Sequence, residues 1–126
     1  MTIPSGTEAA RPFVPAEDLE KSKAFYRALG FETLLDGDVA IFAVGATSFI
    51  FQQFHQEDHN FMMQLMVDDL DGWWTHIRSL NLPATFGIPE PKAPETQPWG
   101  LRIAYLVDPS GVLWHIGQRR PGKIHD

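Results

Sequence analysis

Histidine is the most versatile catalytic residue type in this chain, because cysteine is absent. The 126 residues contain five histidines and no cysteine, so thiolate catalysis, disulfides and cysteine-ligated zinc are excluded. His55 and His59 have a spacing that binds zinc on a helix, but the polar residues around them predict a connection between strands. His115 alternates with Leu113 in an apolar segment, which predicts either a pocket residue on the concave side of a sheet or a core histidine bonded to backbone.

Other catalytic motifs are weak. Ser110 and Asp108 lie close to His115 in the sequence, but a turn followed by a strand does not pre-form a catalytic triad. There is no glycine-rich phosphate loop. Trp99, between Pro98 and Gly100, is a candidate for stacking on a planar or cationic ligand; the alternative is that it only pins its loop to the sheet.

Two amphipathic helices and a series of short strands must position these side chains. The pattern predicts helices over residues 19–29 and 69–80, each starting at an acidic cap. It predicts strands over residues 11–15, 31–35, 39–44, 48–54, 61–67, 101–107 and 112–118. A further strand is predicted over 84–87, and the prolines between 89 and 98 predict a stiff, extended loop that makes no ladder hydrogen bonds.

The two halves of the chain share one pattern. A single shift places Asp18 on Asp69, Arg27 on Arg78 and Leu29 on Leu80. Each half is predicted to contain one strand, one helix and three further strands, in that order. One half alone would leave its sheet partly uncovered, so two halves must pair. We therefore predict an α+β fold of two βαβββ modules, about 11–54 and 60–118, in one domain over 11–118, with flexible segments at 1–10 and 119–126.

Charge and hydropathy exclude several partners. The net charge of −6 disfavours nucleic acid and anionic membrane surfaces. The acidic residues between 57 and 71 form either a solvated turn and helix start or a surface that attracts a cationic ligand. The first residues do not resemble a secretory signal and no apolar run is long enough to span a membrane, so we expect a cytoplasmic protein.

Three segments resemble the vicinal oxygen chelate superfamily, which includes glyoxalase I, extradiol dioxygenases and bleomycin-resistance proteins. They are AEDLEKSKAFYRALGF (16–31), VDDLDGWWTHI (67–77) and DPSGVLWHI (108–116). The segment QPWGLRIAYLVDPSGVLWHI (97–116) is most similar to the bleomycin-resistance branch, although Val112 replaces the asparagine that is common there. The resemblance implies a curved mixed sheet, a domain-swapped homodimer, and sequestration of an antibiotic in clefts between subunits.

The resemblance also allows the metal positions to be compared. Metal-dependent members carry His, Glu, His and Glu at positions that correspond here to Arg11, Gln52 (to within two residues), Met62 and His115. Arginine cannot ligate a metal, and methionine is too soft for the divalent ions of these enzymes. We therefore expect no metal and no other cofactor.

These observations lead to one preferred function. We expect a metal-independent protein that binds a small planar or cationic molecule, and a homodimer without nucleic-acid or membrane partners. The candidate ligand-binding residues are Trp99, His115, Gln52, Arg11, Met62 and Arg102. The alternatives are an enzyme of the same superfamily (a lyase, dioxygenase or thiol transferase with an atypical active site, for example with His115 as base) and a structural or regulatory dimer without a ligand.

Overall fold

The computed structural model describes residues 3–53 and 59–119 and confirms the predicted fold class. The first module contains β1 (Phe13–Ala16), α1 (Leu19–Leu29), β2 (Glu32–Leu35), β3 (Val39–Val44) and β4 (Thr47–Gln53). The second contains β5 (Met62–Met66), α2 (Leu70–Ser79), α3 (Leu82–Phe86), β6 (Lys92–Thr96), β7 (Arg102–Val107) and β8 (Leu113–Gln118). His55 and the acidic residues 57 and 58 lie outside the described residues, and the domain boundaries stay a prediction.

Each module forms its own four-stranded mixed sheet with the same topology. The strand orders are β1-β4-β3-β2 and β5-β8-β7-β6. In both sheets the first and last strands of the module pair in parallel, and the remaining pairs are antiparallel. The predicted repeat therefore corresponds to a repeated architecture.

Both long helices begin with the same pair of caps. The Asp18 carboxylate accepts a hydrogen bond from the Lys21 amide, and Asp69 accepts one from the Gly72 amide. These bonds satisfy amides that have no partner inside the helix. At position 72 a Cβ atom would lie 2.2 Å from a carboxylate oxygen of Asp69, so glycine permits this close approach.

A second cap comes from the last residue of the last strand in each module. The Gln53 side-chain oxygen accepts a hydrogen bond from the Leu19 amide at 2.9 Å, and Gln118 accepts one from the Leu70 amide at 2.8 Å. Each sheet is thus fastened to the start of its own helix by an equivalent glutamine.

Two predictions for the second module are wrong. Residues 82–86 form the short helix α3 and not a strand, because Pro83 suits a first helical turn and Phe86 packs against Phe25 with ring centroids 5.4 Å apart. Residues 92–96 form β6 and not a loop. Pro94 is tolerated there because β6 is an edge strand, and an edge strand leaves some amides without a ladder partner.

The two modules share one core, centred on Tyr26. The core combines aromatic side chains from the first module with Trp114 and Ile116 from the second. The Trp114 ring lies 5.9 Å from that of Tyr26 and 5.8 Å from that of Phe49, between centroids. The buried faces of both sheets therefore pack together, and each sheet has an outer face on the side remote from this core.

A buried hydrogen-bond network joins the modules inside this core. The Tyr26 hydroxyl donates to Asp108 at 2.7 Å and accepts from the Trp114 indole N–H at 2.9 Å. The other Asp108 oxygen accepts from the amides of Ser110 and Val112. Burial raises the pKa of Asp108 and raises the pKa of Tyr26 well above its ordinary value. Among the described residues, no helix is long and apolar enough to cross a membrane.

Tyr26→Phe should destabilise the protein by about 2–4 kcal/mol, because it leaves one carboxylate oxygen of Asp108 and the Trp114 indole N–H each without the hydrogen bond that the Tyr26 hydroxyl makes. Urea unfolding followed by far-UV circular dichroism measures this loss. The half-buried Tyr105 is a matched control, and Tyr105→Phe should change the free energy of unfolding by less than about 0.5 kcal/mol. Equal losses in the two variants would show that the Tyr26 hydroxyl does not join the modules.

Candidate functional site

The outer face of the second sheet carries a row of polar side chains. Strand register places Gln64, His115 and Tyr105 side by side on β5, β8 and β7. Lys92 on β6 continues the row beyond Tyr105. Side chains opposite each other in register share a face, and Trp114 and Ile116 occupy the buried face of β8. His115 therefore points away from the core, and its role as a pocket residue stays a prediction.

His115 is held by an aromatic contact. Its ring meets the Tyr105 ring edge-on, with centroids 4.8 Å apart. Its Nε2 atom is buried and has no hydrogen-bond partner among the described residues. Burial lowers the pKa of His115, so the neutral imidazole is favoured near pH 7 and is free to donate or accept one hydrogen bond at Nε2.

An apolar residue lies beside this row. Met62 is 58% exposed and stands opposite Leu113 on the same outer face, two residues before Gln64. The structure therefore brings Met62 and His115 onto one face, about 7 Å apart along the strand direction.

The outer face of the first sheet carries Gln52 and several exposed apolar side chains. Gln52 stands opposite Pro15 and Val39 in register, and neighbouring Gln53 turns to the helix side to cap α1. Phe13 is 60% exposed, Leu35 is 48% exposed and Val39 is 37% exposed. This face is an apolar surface with a polar group at one end.

Arg11 lies at the other end of this outer face. Its Nε atom donates to the Ser48 hydroxyl at 2.7 Å. Ser48 precedes Gln52 by four residues on β4, which corresponds to about 13 Å along a strand. Arg11 and Gln52 share a sheet but do not form one cluster. Strand register gives His115 a different counterpart in the first module. In the second module Met62 is opposite Leu113, and His115 lies two residues further along β8. The same step from Ser48, the residue beside Arg11, leads to Ile50.

Arg102 belongs to the opposite side of its sheet. It pairs in register with Gln118, which caps α2, and its guanidinium lies 3.0 Å from a carboxylate oxygen of Asp71 in the first turn of α2. Arg102 therefore faces α2, whereas His115 faces outward.

Trp99 lies at the tip of the β6–β7 hairpin. The turn is closed by hydrogen bonds from the Gly100 amide to the Gln97 carbonyl and from the Gln97 amide to the Leu101 carbonyl, both 2.9 Å. The Trp99 side chain is 56% exposed, so it does not bury itself as a core anchor of the turn. Gly100 has φ 101°, a backbone conformation that favours glycine.

Gln64, Tyr105 and Lys92 are the residues that sequence reasoning missed. Each is an ordinary residue in an alternating strand, and only the pairing of β5, β8, β7 and β6 puts them beside His115. The alternation along β8 indicates that Leu113 and His115 share one face of the sheet. It does not identify the residues of the other strands that lie beside His115.

His59 and His76, the two other histidines among the described residues, have structural partners. His59 accepts at Nδ1 from the Phe61 amide, so its Nε2–H donates to the Ser110 carbonyl at 2.8 Å. His76 bonds the Leu29 carbonyl at the end of α1 at 2.8 Å. Within residues 3–53 and 59–119, no group of three or more His, Asp or Glu side chains is arranged to hold a metal.

A cleft of about 580 Å³ lies away from both outer faces, beside α1 and the β2–β3 turn. Its central cation, Lys23, is only 4% exposed. The ammonium contacts the Gly37 carbonyl, Asp36 and Glu20 at 2.8, 2.8 and 3.2 Å. These three partners use the three N–H donors of the ammonium group. Lys23 therefore connects the β2–β3 turn to α1.

Sequence comparison finds relatives over most of the chain. A profile of the Glyoxalase/Bleomycin resistance protein/Dioxygenase superfamily matches residues 9–116. A bleomycin resistance protein of Klebsiella pneumoniae is 33% identical over 117 residues, which cover 89% of this chain and 93% of that protein.

Solved structures share the fold. A crystal structure of a bleomycin-binding protein complexed with bleomycin has a TM-score of 0.74 and 31% identity, and the match covers 90% of this chain and 100% of that one. A lactoylglutathione lyase from Agrobacterium tumefaciens has a TM-score of 0.66 and 22% identity, with 90% and 96% covered. At this lower identity the lyase shows the common fold alone.

Purified protein should contain far less than one tightly bound divalent metal ion per chain, because Arg11 and Met62 supply no suitable ligand at two of the four positions. Elemental analysis after purification without chelators or metal-affinity resin measures this content. Close to one equivalent of zinc, nickel, iron or manganese would contradict the expectation.

Proposed function

Because the chain belongs to the Glyoxalase/Bleomycin resistance protein/Dioxygenase superfamily, as its motifs predicted, we propose that it binds a small organic molecule and sequesters it without chemical conversion. The observation that carries this proposal is the set of residues at the four metal positions. Arg11 and Met62 replace usual ligands at two of these positions. The position on β4 is Gln52 by sequence alignment and Ile50 by strand register, and neither is a good ligand for a divalent metal, so only His115 remains a good one. The relatives at 31–33% identity are named for bleomycin binding or resistance.

The proposed ligand is planar or cationic, as bleomycin is. The net charge of −6 attracts cations at long range. The exposed indole of Trp99 offers a stacking surface for an aromatic or cationic group. Arg102 begins β7 three residues after Trp99, and its ion pair with Asp71 ties this end of the hairpin to α2.

The proposed binding site is shared between two copies of the chain. Arg11 and Gln52 lie on one outer face, whereas Met62 and His115 lie on the other. Among the described residues, no hydrogen bond, ion pair or ring contact joins the two outer faces. A homodimer that places the first outer face of one copy against the second outer face of its partner would set Arg11 and Gln52 opposite the partner's face that carries Met62 and His115, and would cover Phe13, Leu35 and Val39. The cytoplasmic location expected from the sequence stays a prediction.

The protein should bind metal-free bleomycin saturably and return it unchanged. Isothermal titration calorimetry measures the affinity, and mass spectrometry of the recovered drug detects conversion. Absence of binding contradicts the proposed function, and accumulation of a modified drug supports the enzyme alternative.

Trp99→Ala should weaken bleomycin binding by about 1–3 kcal/mol, which is typical for the loss of an aromatic anchor, with little effect on stability because the indole is exposed. Trp74→Ala is the matched control. Trp74 is half-buried on α2 and packs against the core, so its loss should lower stability and leave the affinity unchanged. Parental affinity in Trp99→Ala together with weakened affinity in Trp74→Ala would show that the ligand binds away from Trp99.

The protein should be a dimer at micromolar concentration, and Phe13→Glu should shift it toward monomer, because a carboxylate would be buried in the proposed apolar interface. Light scattering measures the mass. Lys21→Glu, at an exposed position on α1, is the matched control and should leave the dimer intact. If the parent protein has the mass of one chain at this concentration, the proposed site shared between two copies is wrong.

A further inference from the structure

The second outer face carries a small apolar cluster apart from the shared core. Leu101 and Ile103 are buried, although neither belongs to the core that joins the two modules. Ile103 on β7 and Met66 on β5 both stand opposite Gly117 in register. Side chains alternate between the two faces of a strand, and the side chain of Ile116 is in the core. A side chain at position 117 would therefore point into this outer cluster.

Gly117 leaves the space in which Leu101 packs. A Cβ atom at position 117 would lie 3.1 Å from the Leu101 Cδ2 atom and 3.4 Å from the Met66 sulfur. Carbon atoms of packed side chains lie about 3.5–4.0 Å apart, so a Cβ atom here would displace Leu101. The close packing of Leu101 against β8 therefore depends on glycine at position 117.

The tip of the β6–β7 hairpin links Leu101 to Trp99. Residues 98–100 form a three-residue loop, closed by hydrogen bonds from the Gly100 amide to the Gln97 carbonyl and from the Gln97 amide to the Leu101 carbonyl. Hairpin loops of this length adopt few conformations, and Pro98 restricts the backbone further. Leu101 follows Trp99 by two residues, so a displacement of Leu101 moves the exposed indole together with the turn.

We propose that Gly117 is a positioning residue for ligand binding: the missing side chain on β8 lets Leu101 pack against the sheet, and Leu101 in turn sets the position of the Trp99 indole. This inference rests on the proposed function and identifies what holds its stacking group in place. Because the effect of Gly117 on affinity passes through Trp99, a change at position 117 should not alter binding once the indole is absent.

Two substitutions disturb this contact in opposite ways. Gly117→Ala adds the Cβ atom that displaces Leu101, whereas Leu101→Ala removes the side chain that fastens the turn to the sheet. Each should lower the affinity for metal-free bleomycin about tenfold, which is within the range for the loss of an aromatic anchor. In the Trp99→Ala background, neither substitution should change the remaining affinity by more than about twofold, because the group that they position is gone.

Gly37→Ala is the matched control. Gly37 lies in the β2–β3 turn of the first module, and a Cβ atom there would make an ordinary contact with the Val39 carbonyl oxygen at 3.7 Å. This variant should keep the parental affinity. The NMR signal of the Trp99 indole N–H, assigned by its absence from Trp99→Ala, reports the position of the turn without ligand. The signal should shift in Gly117→Ala and stay unchanged in Gly37→Ala.

Calorimetry with bleomycin, the indole signal and urea unfolding of each variant decide the question. A shifted indole signal and weakened binding in Gly117→Ala and Leu101→Ala, without further loss in the Trp99→Ala background, support the inference. If Gly117→Ala does not fold, Leu101→Ala carries the same test.

Three results overturn the role of Gly117 while bleomycin binding by the parent upholds the proposed function. They are an unchanged indole signal in Gly117→Ala and Leu101→Ala, parental affinity in both variants, and an additional loss of affinity in the Trp99→Ala background. Absence of bleomycin binding by the parent overturns the proposed function and the binding role of Gly117 together.

Discussion

The hydroxyl group of Tyr26 is the point on which the arrangement of the two modules depends. It donates to Asp108 and accepts from the Trp114 indole, so one atom of the first module satisfies two buried polar groups of the second. The Asp108 carboxylate in turn holds the β7–β8 turn through the amides of Ser110 and Val112. Because unsatisfied buried groups are costly, this network selects one packing of the two sheets, with Trp114 against Tyr26 and Phe49.

This packing leaves the two outer faces for other molecules. The buried faces of both sheets are used within the chain, whereas the apolar side chains Phe13, Leu35 and Met62 on the outer faces are 60%, 48% and 58% exposed. An apolar face on a sheet is a typical surface for a partner or a ligand. The polar row around His115 on one face and Gln52 on the other would give such a surface specificity. The proposed partner and the proposed ligand would therefore both use surfaces that this constraint leaves exposed.

The sequence predicted those features that local chemistry determines. The caps Asp18 and Asp69 and the repeat of the modules follow from residue type and periodicity, whereas the sequence left open whether His115 faces outward or into the core. The short helix over 82–86 and the edge strand over 92–96 were missed, because tertiary packing of Phe86 and the edge position of β6 override the local signals of proline. The environments of Arg102 and Gln64 depend on strand register, which alternation alone does not define.

The central claim is that ligand recognition occurs on the outer faces and not in the cleft of about 580 Å³ beside Lys23. Backbone amide chemical shifts, measured by NMR during titration with metal-free bleomycin, test it most directly. We predict saturable shifts at Gln64, Tyr105 and His115, with parallel changes at Gln52 and at Trp99. Shifts confined to the cleft residues Leu19, Lys23 and Asp36, or no shifts at all, would contradict the account.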